Sequence, residues 1–158
     1  MGYILIIDAG ESRQKMATMS NVIIINAPAE KIFSYVNQPS NLPKFWPSLY
    51  EIKDEELLPN GGYSYRWTYK MGGIHFTGKG ECTDIVPNFL LKSQIYGALN
   101  GTMTFSFQSC RNQTRVTLLA DYQIPLLILD RLAENIISKI NEREAATVLD
   151  NLRIVFES

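Results

Sequence analysis

Three stretches of strict period-two alternation constrain this chain more than any other feature. "GYSYRWTYKM" puts Tyr63, Tyr65, Trp67, Tyr69 and Met71 on one face and Ser64, Arg66, Thr68 and Lys70 on the other. "TMTFSFQS" sets Met103, Phe105 and Phe107 against Thr102, Thr104, Ser106 and Gln108. "RVTLLADYQI" sets Val116, Leu118, Ala120, Tyr122 and Ile124 against Arg115, Thr117, Asp121 and Gln123. Alternation of this kind marks antiparallel strands with one covered face and one wet face. Turn-forming sequences separate the strands: "PNGG" at 59–62, "MGG" at 71–73, "VPN" at 86–88, "LNG" at 99–101 and "RNQ" at 111–113. The segment from Leu49 to Ile124 therefore reads as a meander of about six strands.

A further strand precedes the meander. Ser20 to Asn26 carries Ile23, Ile24 and Ile25 in a row, which predicts a strand buried at least partly on both faces. Two short helices follow. Pro28 pre-sets a helical φ, Glu30 suits a helix N-terminus, and Ile32, Phe33 and Val36 make one apolar stripe before Pro39 ends it. Leu42, Phe45 and Trp46 repeat the pattern between prolines over one or two turns. From 126 to about 156 the period becomes helical, with Leu129, Leu132, Ile136, Ile137, Ile140 and later Ala145, Val148, Leu149 and Leu152 on one broad face. One long helix is then the lid available for the covered face of a curved sheet.

The chain has 158 residues and a formal net charge of −1. That length accommodates one domain with a real core, and the charge argues against an electrostatic nucleic-acid binder. Residues 1–15 are expected to be an N-terminal extension, flexible or forming an edge strand, ahead of a domain at 16–158. The run "YILII" is too short for a signal peptide, and no apolar run approaches the roughly 20 residues that span a bilayer. A cytoplasmic protein without stable membrane insertion is expected. The two cysteines, Cys82 and Cys110, form no CxxC and read as reduced thiols rather than a disulfide. One histidine, His75, rules out a multi-histidine metal site.

The order and spacing of these segments resemble a known family. "INAPAEKIFSYVNQPSNLPKFWPS", "YRWTYKMGG", "GKGECTDIVPN", "TRVTLLADYQIP" and "RLAENIISKINEREAATVLDNLRI" together resemble the START-like (SRPBCC) superfamily, in particular its polyketide cyclase/dehydrase-like branch, over roughly residues 16 to 156. The resemblance implies an α+β helix-grip fold: a seven-stranded curved antiparallel sheet around a long C-terminal helix, two short helices after the first strand, and an internal apolar cavity. It implies binding of a hydrophobic small molecule such as a lipid, an isoprenoid quinone or a polyketide-like aromatic. The alternatives are a polyketide cyclase/aromatase-type enzyme and a protein-interaction module acting on a partner that the sequence does not identify.

Given such a cavity, the inward register nominates its lining. Tyr65, Trp67 and Tyr69 offer flat faces and hydroxyls, and Phe76, Met103, Phe105, Leu118 and Tyr122 share their side of the sheet. Ile136 and Ile140 would face it from the helix, Leu42 and Phe45 would border its mouth, and Trp46 reads as packing. Ser93 is a further candidate polar group. Gly78 and Gly80 lie on one face of a strand, where they either admit a close approach or bend the sheet. No catalytic residue, metal ligand or cofactor is assigned. His75 and Glu81 fall on the outward register, Asp84 shares the inward register of Cys82, and Glu144 lies mid-helix, either at the helix–sheet seam or paired in solvent with Arg143.

Overall fold

The computed structural model describes residues 2–9 and 12–158, with side chains described from residue 15 onward. Eight strands form one antiparallel sheet: β1 (Gly2–Ala9), β2 (Ser12–Ile25), β3 (Leu49–Leu57), β4 (Tyr63–Met71), β5 (Ile74–Val86), β6 (Leu90–Gly97), β7 (Asn100–Cys110) and β8 (Gln113–Gln123). Their spatial order is β1-β2-β8-β7-β6-β5-β4-β3. The meander from β3 to β8 is joined by short turns, and β8 then pairs with β2, Ile25 lying opposite Thr114 and Met16 opposite Gln123.

All seven expected strands are present as β2–β8, and β1 adds an eighth at the edge beside β2. β1 and the start of β2 at Ser12 fall within the expected extension, and residues 1, 10 and 11 lie outside the described residues. β2 also begins earlier than its isoleucine run suggests. Its burial corrects the sequence reading: Ile25 is fully buried, but Ile24 and Val22 are 49% and 43% exposed. Helical cover exists on one side of the sheet only, so β-branched residues on the other side stay in contact with water despite their strand propensity.

Between β2 and β3 lie α1 (Ala29–Asn37), a 3₁₀ turn at Pro39–Asn41 and α2 (Leu42–Phe45). Pro28 stands at the N-cap of α1 with an extended backbone, and Ala29, Ile32, Phe33 and Val36 form its buried face. That face meets β7, where the Phe33 and Phe107 rings pack edge to face at 5.6 Å. The buried Thr114 hydroxyl on β8 donates to the Ala27 carbonyl at 2.7 Å and ties down the entry to α1.

The C-terminal helical segment is broken, which the sequence pattern did not indicate. α3 (Leu126–Arg131) ends at Leu132, and α4 (Glu134–Glu157) starts after Ala133, both linking residues being extended. Ile137, Asn141, Ala145, Val148, Leu149 and Leu152 are the buried stripe of α4, which packs chiefly against β2 and also touches β1, β8 and α2. At about 1.5 Å per residue α4 reaches about 36 Å, the length of a small domain. α3 folds over the β4–β5 turn, where Gly72 takes a left-handed φ of +56° that strains other residues and where a Cβ would stand 3.2 Å from the Ile128 and Leu132 methyls.

Candidate functional site

Between α2, the inner face of the sheet and the β6–β7 turn, the core leaves a cavity of about 90 Å³ lined almost wholly by apolar atoms. Trp46 and Leu49 enclose it from the α2 side. Tyr65, Trp67, Tyr69 and Met71 contribute the β4 wall. Ile95, Leu99, Gly101, Thr102 and Met103 close the floor, and Met19, Ala120 and Tyr122 line it from β2 and β8. A second pocket of about 20 Å³ shares Tyr65 and Met103 with the first and lies against Val36, Leu42, Cys82, Leu91, Ser93 and Phe105.

Two glycines make this wall possible. Gly80 pairs across the strands with Tyr65 and Gly78 with Trp67. A Cβ on Gly80 would come within 2.6 Å of the Tyr65 ring, and one on Gly78 within 2.4 Å of the Trp67 ring and 2.2 Å of the Tyr96 carbonyl. Both rings thus lie against bare backbone, and the glycines serve the close-approach role raised by their spacing.

A polar cluster interrupts the apolar lining on the α4 side. The Tyr69 hydroxyl donates to Glu144 Oε2. The Tyr122 hydroxyl donates to Asn141 Oδ1 at 2.7 Å. Desolvation, together with the nearby Glu144 carboxylate, holds the Tyr69 hydroxyl well above its ordinary pKa, and burial does the same to Tyr122 and Tyr65. Burial also raises the Glu144 carboxyl, and the neighbouring Ser48, Tyr69 and Trp46 groups offset this only in part. The Trp46 indole N–H stands near enough to influence both Glu144 and Tyr69 yet completes a hydrogen bond to neither. Trp67 Nε1 and Asn141 Nδ2 are likewise buried without a partner.

Glu144 has a pH consequence. Its folded pKa is raised, so the native protein holds this proton more tightly than the unfolded chain does. The associated stability is complete below the unfolded carboxyl value of about 4.3 and is lost as pH rises through the folded value. Denaturant melts of wild type and Glu144→Gln between about pH 4 and 7 should show the stability difference moving in favour of the variant as pH rises. A pH-independent difference would mean that the carboxyl is solvated.

Of the residues nominated from sequence, Tyr65, Trp67, Tyr69, Met103 and Tyr122 line the main cavity, while Leu42 and Phe105 line the smaller one with Tyr65 and Met103. Ser93 also lines the smaller chamber and interacts with the Tyr65 hydroxyl. Five do not line either. Phe45, Phe76 and Leu118 are buried in solid core, because inward register places a side chain under the helices without guaranteeing empty space beside it. Ile136 is 45% exposed and Ile140 half-buried: the break at Leu132–Ala133 resets the helical phase, so Ile137 and Asn141 face inward instead.

Among the acid–base candidates, His75 is exposed and lies against Tyr50, the two rings tilted by 39° with centroids 5.3 Å apart. Asp84 is exposed because a bulge between Cys82 and Asp84 shifts the register and places it opposite Lys92. Only Glu144 reaches the helix–sheet seam. Both cysteines are free, Cys82 buried and Cys110 exposed. Among the described residues no group of three or more His, Cys, Asp or Glu side chains is placed to hold a metal ion, and no helix is long and apolar enough to cross a membrane.

The architecture and cavity agree with the result of comparison. Residues 16–157 match the family described as polyketide cyclase / dehydrase and lipid transport. The chain belongs to that family. Solved structures with the same fold include a START superfamily protein from Mycobacterium smegmatis, 14% identical, covering 89% of this chain and 97% of that one at a TM-score of 0.74. The Zhui aromatase/cyclase from Streptomyces sp. R1128 is 13% identical over 90% of this chain and 94% of its own, with a TM-score of 0.68. The Aha1 protein of Colwellia psychrerythraea is 18% identical over 89% and 96%, with a TM-score of 0.60. Identities this low establish a shared fold, helix-grip, and nothing of the chemistry. A search of curated proteins finds no match.

Proposed function

We propose that this polyketide cyclase/dehydrase family domain binds and sequesters a hydrophobic small molecule in the cavity between α2 and the inner face of the sheet. The observation that carries this reading is an apolar pocket, partly open to solvent, set into an otherwise packed core and walled by the rings of Trp46, Tyr65, Trp67, Tyr69 and Tyr122. Interiors are packed to crystal-like density, so a void ringed by aromatic side chains is the natural place for a guest. Apolar burial at about 25 cal/mol per Å² supplies the affinity, and the hydroxyls at the α4 side orient the guest. Among lipids, isoprenoid quinones and polyketide-like aromatics, the flat walls favour an aromatic group. The free cysteines accord with a cytoplasmic carrier.

Native mass spectrometry of the protein purified from its own host tests this. The expected spectrum contains a population heavier by one small molecule, which organic extraction removes. A spectrum of bare protein, with no uptake of any hydrophobic compound added afterwards, would overturn the proposal.

One observation favours a second reading, a cyclase-type enzyme. Of His75, Glu81, Asp84 and Glu144, only Glu144 reaches inward, and its partner Tyr69 lines the cavity. Such a pair suits proton transfer during closure of a poly-β-ketone chain. Conversion of that substrate class to a cyclised product, abolished by Glu144→Gln with binding retained, would support it. Binding without turnover in the wild type leaves the carrier.

A further inference from the structure

Resting on the cavity as the ligand site, two independent features narrow what the site accepts. The first is size. Pockets for drug-sized ligands run to roughly 300–1,000 Å³, and an engineered cavity of roughly 150 Å³ takes one benzene molecule. At about 90 Å³ this cavity is on the scale of a single ring. Met19, Met71 and Met103 line it, and their unbranched thioether chains supply the small adjustment a substituent needs. The pocket itself holds no more than one ring, and an acyl chain or a fused polycyclic system would have to extend beyond it toward solvent.

The second is the sign of the unmet polarity. Among the described residues, three buried side-chain polar atoms lack a hydrogen-bond partner: Trp46 Nε1, Trp67 Nε1 and Asn141 Nδ2. All three are donors. Trp46 and Trp67 are only 5% and 4% exposed and both line the cavity, while Asn141, 2% exposed, holds Tyr122 at its edge. Buried donors are almost always paired, and a site with donors left over is complemented by a guest that brings acceptors. A saturated hydrocarbon would leave the penalty in place.

We infer that the cavity is built for a single-ring aromatic molecule carrying a short oxygen-bearing substituent, its oxygen accepting from the indole N–H groups of Trp46 and Trp67. This assigns the two tryptophans as specificity-determining residues and separates the ligand from long-chain lipids by volume and from plain hydrocarbons by hydrogen bonding.

The test uses three probes on the full chain: acetophenone, ethylbenzene as its counterpart without the oxygen, and palmitic acid. The chain has two tryptophans, so its ¹H–¹⁵N spectrum carries two indole signals, and no variant is needed for the first readout. Acetophenone is expected to move these signals downfield and to bind roughly ten-fold or more tightly than ethylbenzene, the discrimination expected when a buried donor gains its acceptor. Palmitic acid should bind most weakly. In Trp46→Phe and Trp67→Phe the acetophenone-to-ethylbenzene ratio should fall toward one; taking the ratio cancels the loss of ring volume. Equal affinity for the two aromatic probes, stationary indole signals, or preference for palmitic acid would overturn this inference while leaving a hydrophobic-ligand site intact. Failure of all three probes to bind would remove the site itself.

Discussion

Phe105→Ala is expected to lower the free energy of unfolding by about 3–5 kcal/mol, the range for truncating a fully buried phenylalanine. Phe105 on β7 has no exposed surface and is the junction of the aromatic core. Its ring meets Phe45 and Trp46 edge to face, both at 6.4 Å, and stacks on Phe107 at the same distance. Through Phe45 it anchors α2, which α4 also holds by the Asn151 Nδ2 donation to the Phe45 carbonyl at 3.2 Å. Truncation therefore removes the support of Trp46 as well as creating a void. The loss should appear as a lower urea midpoint with an unchanged slope. A loss below about 1 kcal/mol would mean that α2 and the sheet are not packed through this residue.

Gly78→Ala should damage stability and binding together. The new Cβ would face the Trp67 ring on one side and the Tyr96 carbonyl on the other, and the carbonyl is backbone in the β5–β6 ladder that cannot swing away. Overpacking of this kind costs about 1–3 kcal/mol. What relaxes is Trp67, and it can only relax into the cavity, so affinity for any guest should drop by at least roughly ten-fold, the equivalent of about 1.4 kcal/mol. Thr77→Ala, one residue away and exposed, is the matched control and should stay within about 0.5 kcal/mol of wild type. Urea melts and ligand titrations of the pair check both effects. If Gly78→Ala matched its control in stability, the glycine would be serving sheet curvature and not ring packing.

Much of the fold was legible because alternation and helical period are one-dimensional signals. Tyr65, Trp67 and Met71 are buried as their register demands, while Arg66 and Lys70 are exposed. Pro28 and Pro39 bracket α1 as their lost N–H groups require. The opposite holds where three-dimensional packing decides. The outer face of Ile24 depends on which side of the sheet receives helices, and a triple isoleucine carries no information on that. The break before α4 was invisible because Leu129, Leu132, Ile136 and Ile140 continue a helical stripe across it, yet Ile128 and Leu132 are drawn onto Gly72 instead.

The cavity lining divides the same way. Register identifies which aromatic rings point inward, but emptiness beside Tyr69 and solidity around Phe76 and Leu118 depend on neighbours from distant parts of the chain. Trp46 reads as packing from its place between two prolines, and only the folded chain sets it on the cavity wall as well. Asn141 gave no signal at all: a polar residue on a helix normally faces water, and here it is among the most buried side chains of α4.

Methionine methyl NMR examines the proposed cavity without reference to any particular biological ligand. The chain has five methionines, and Met19, Met71 and Met103 line the void while Met16 does not. On titration with acetophenone, the methyl signals of Met19, Met71 and Met103 should shift together, with a common saturation curve, and that of Met16 should stay in place. Shifts confined to Met16, or no saturable shift at any of the three, would contradict a ligand site inside this fold.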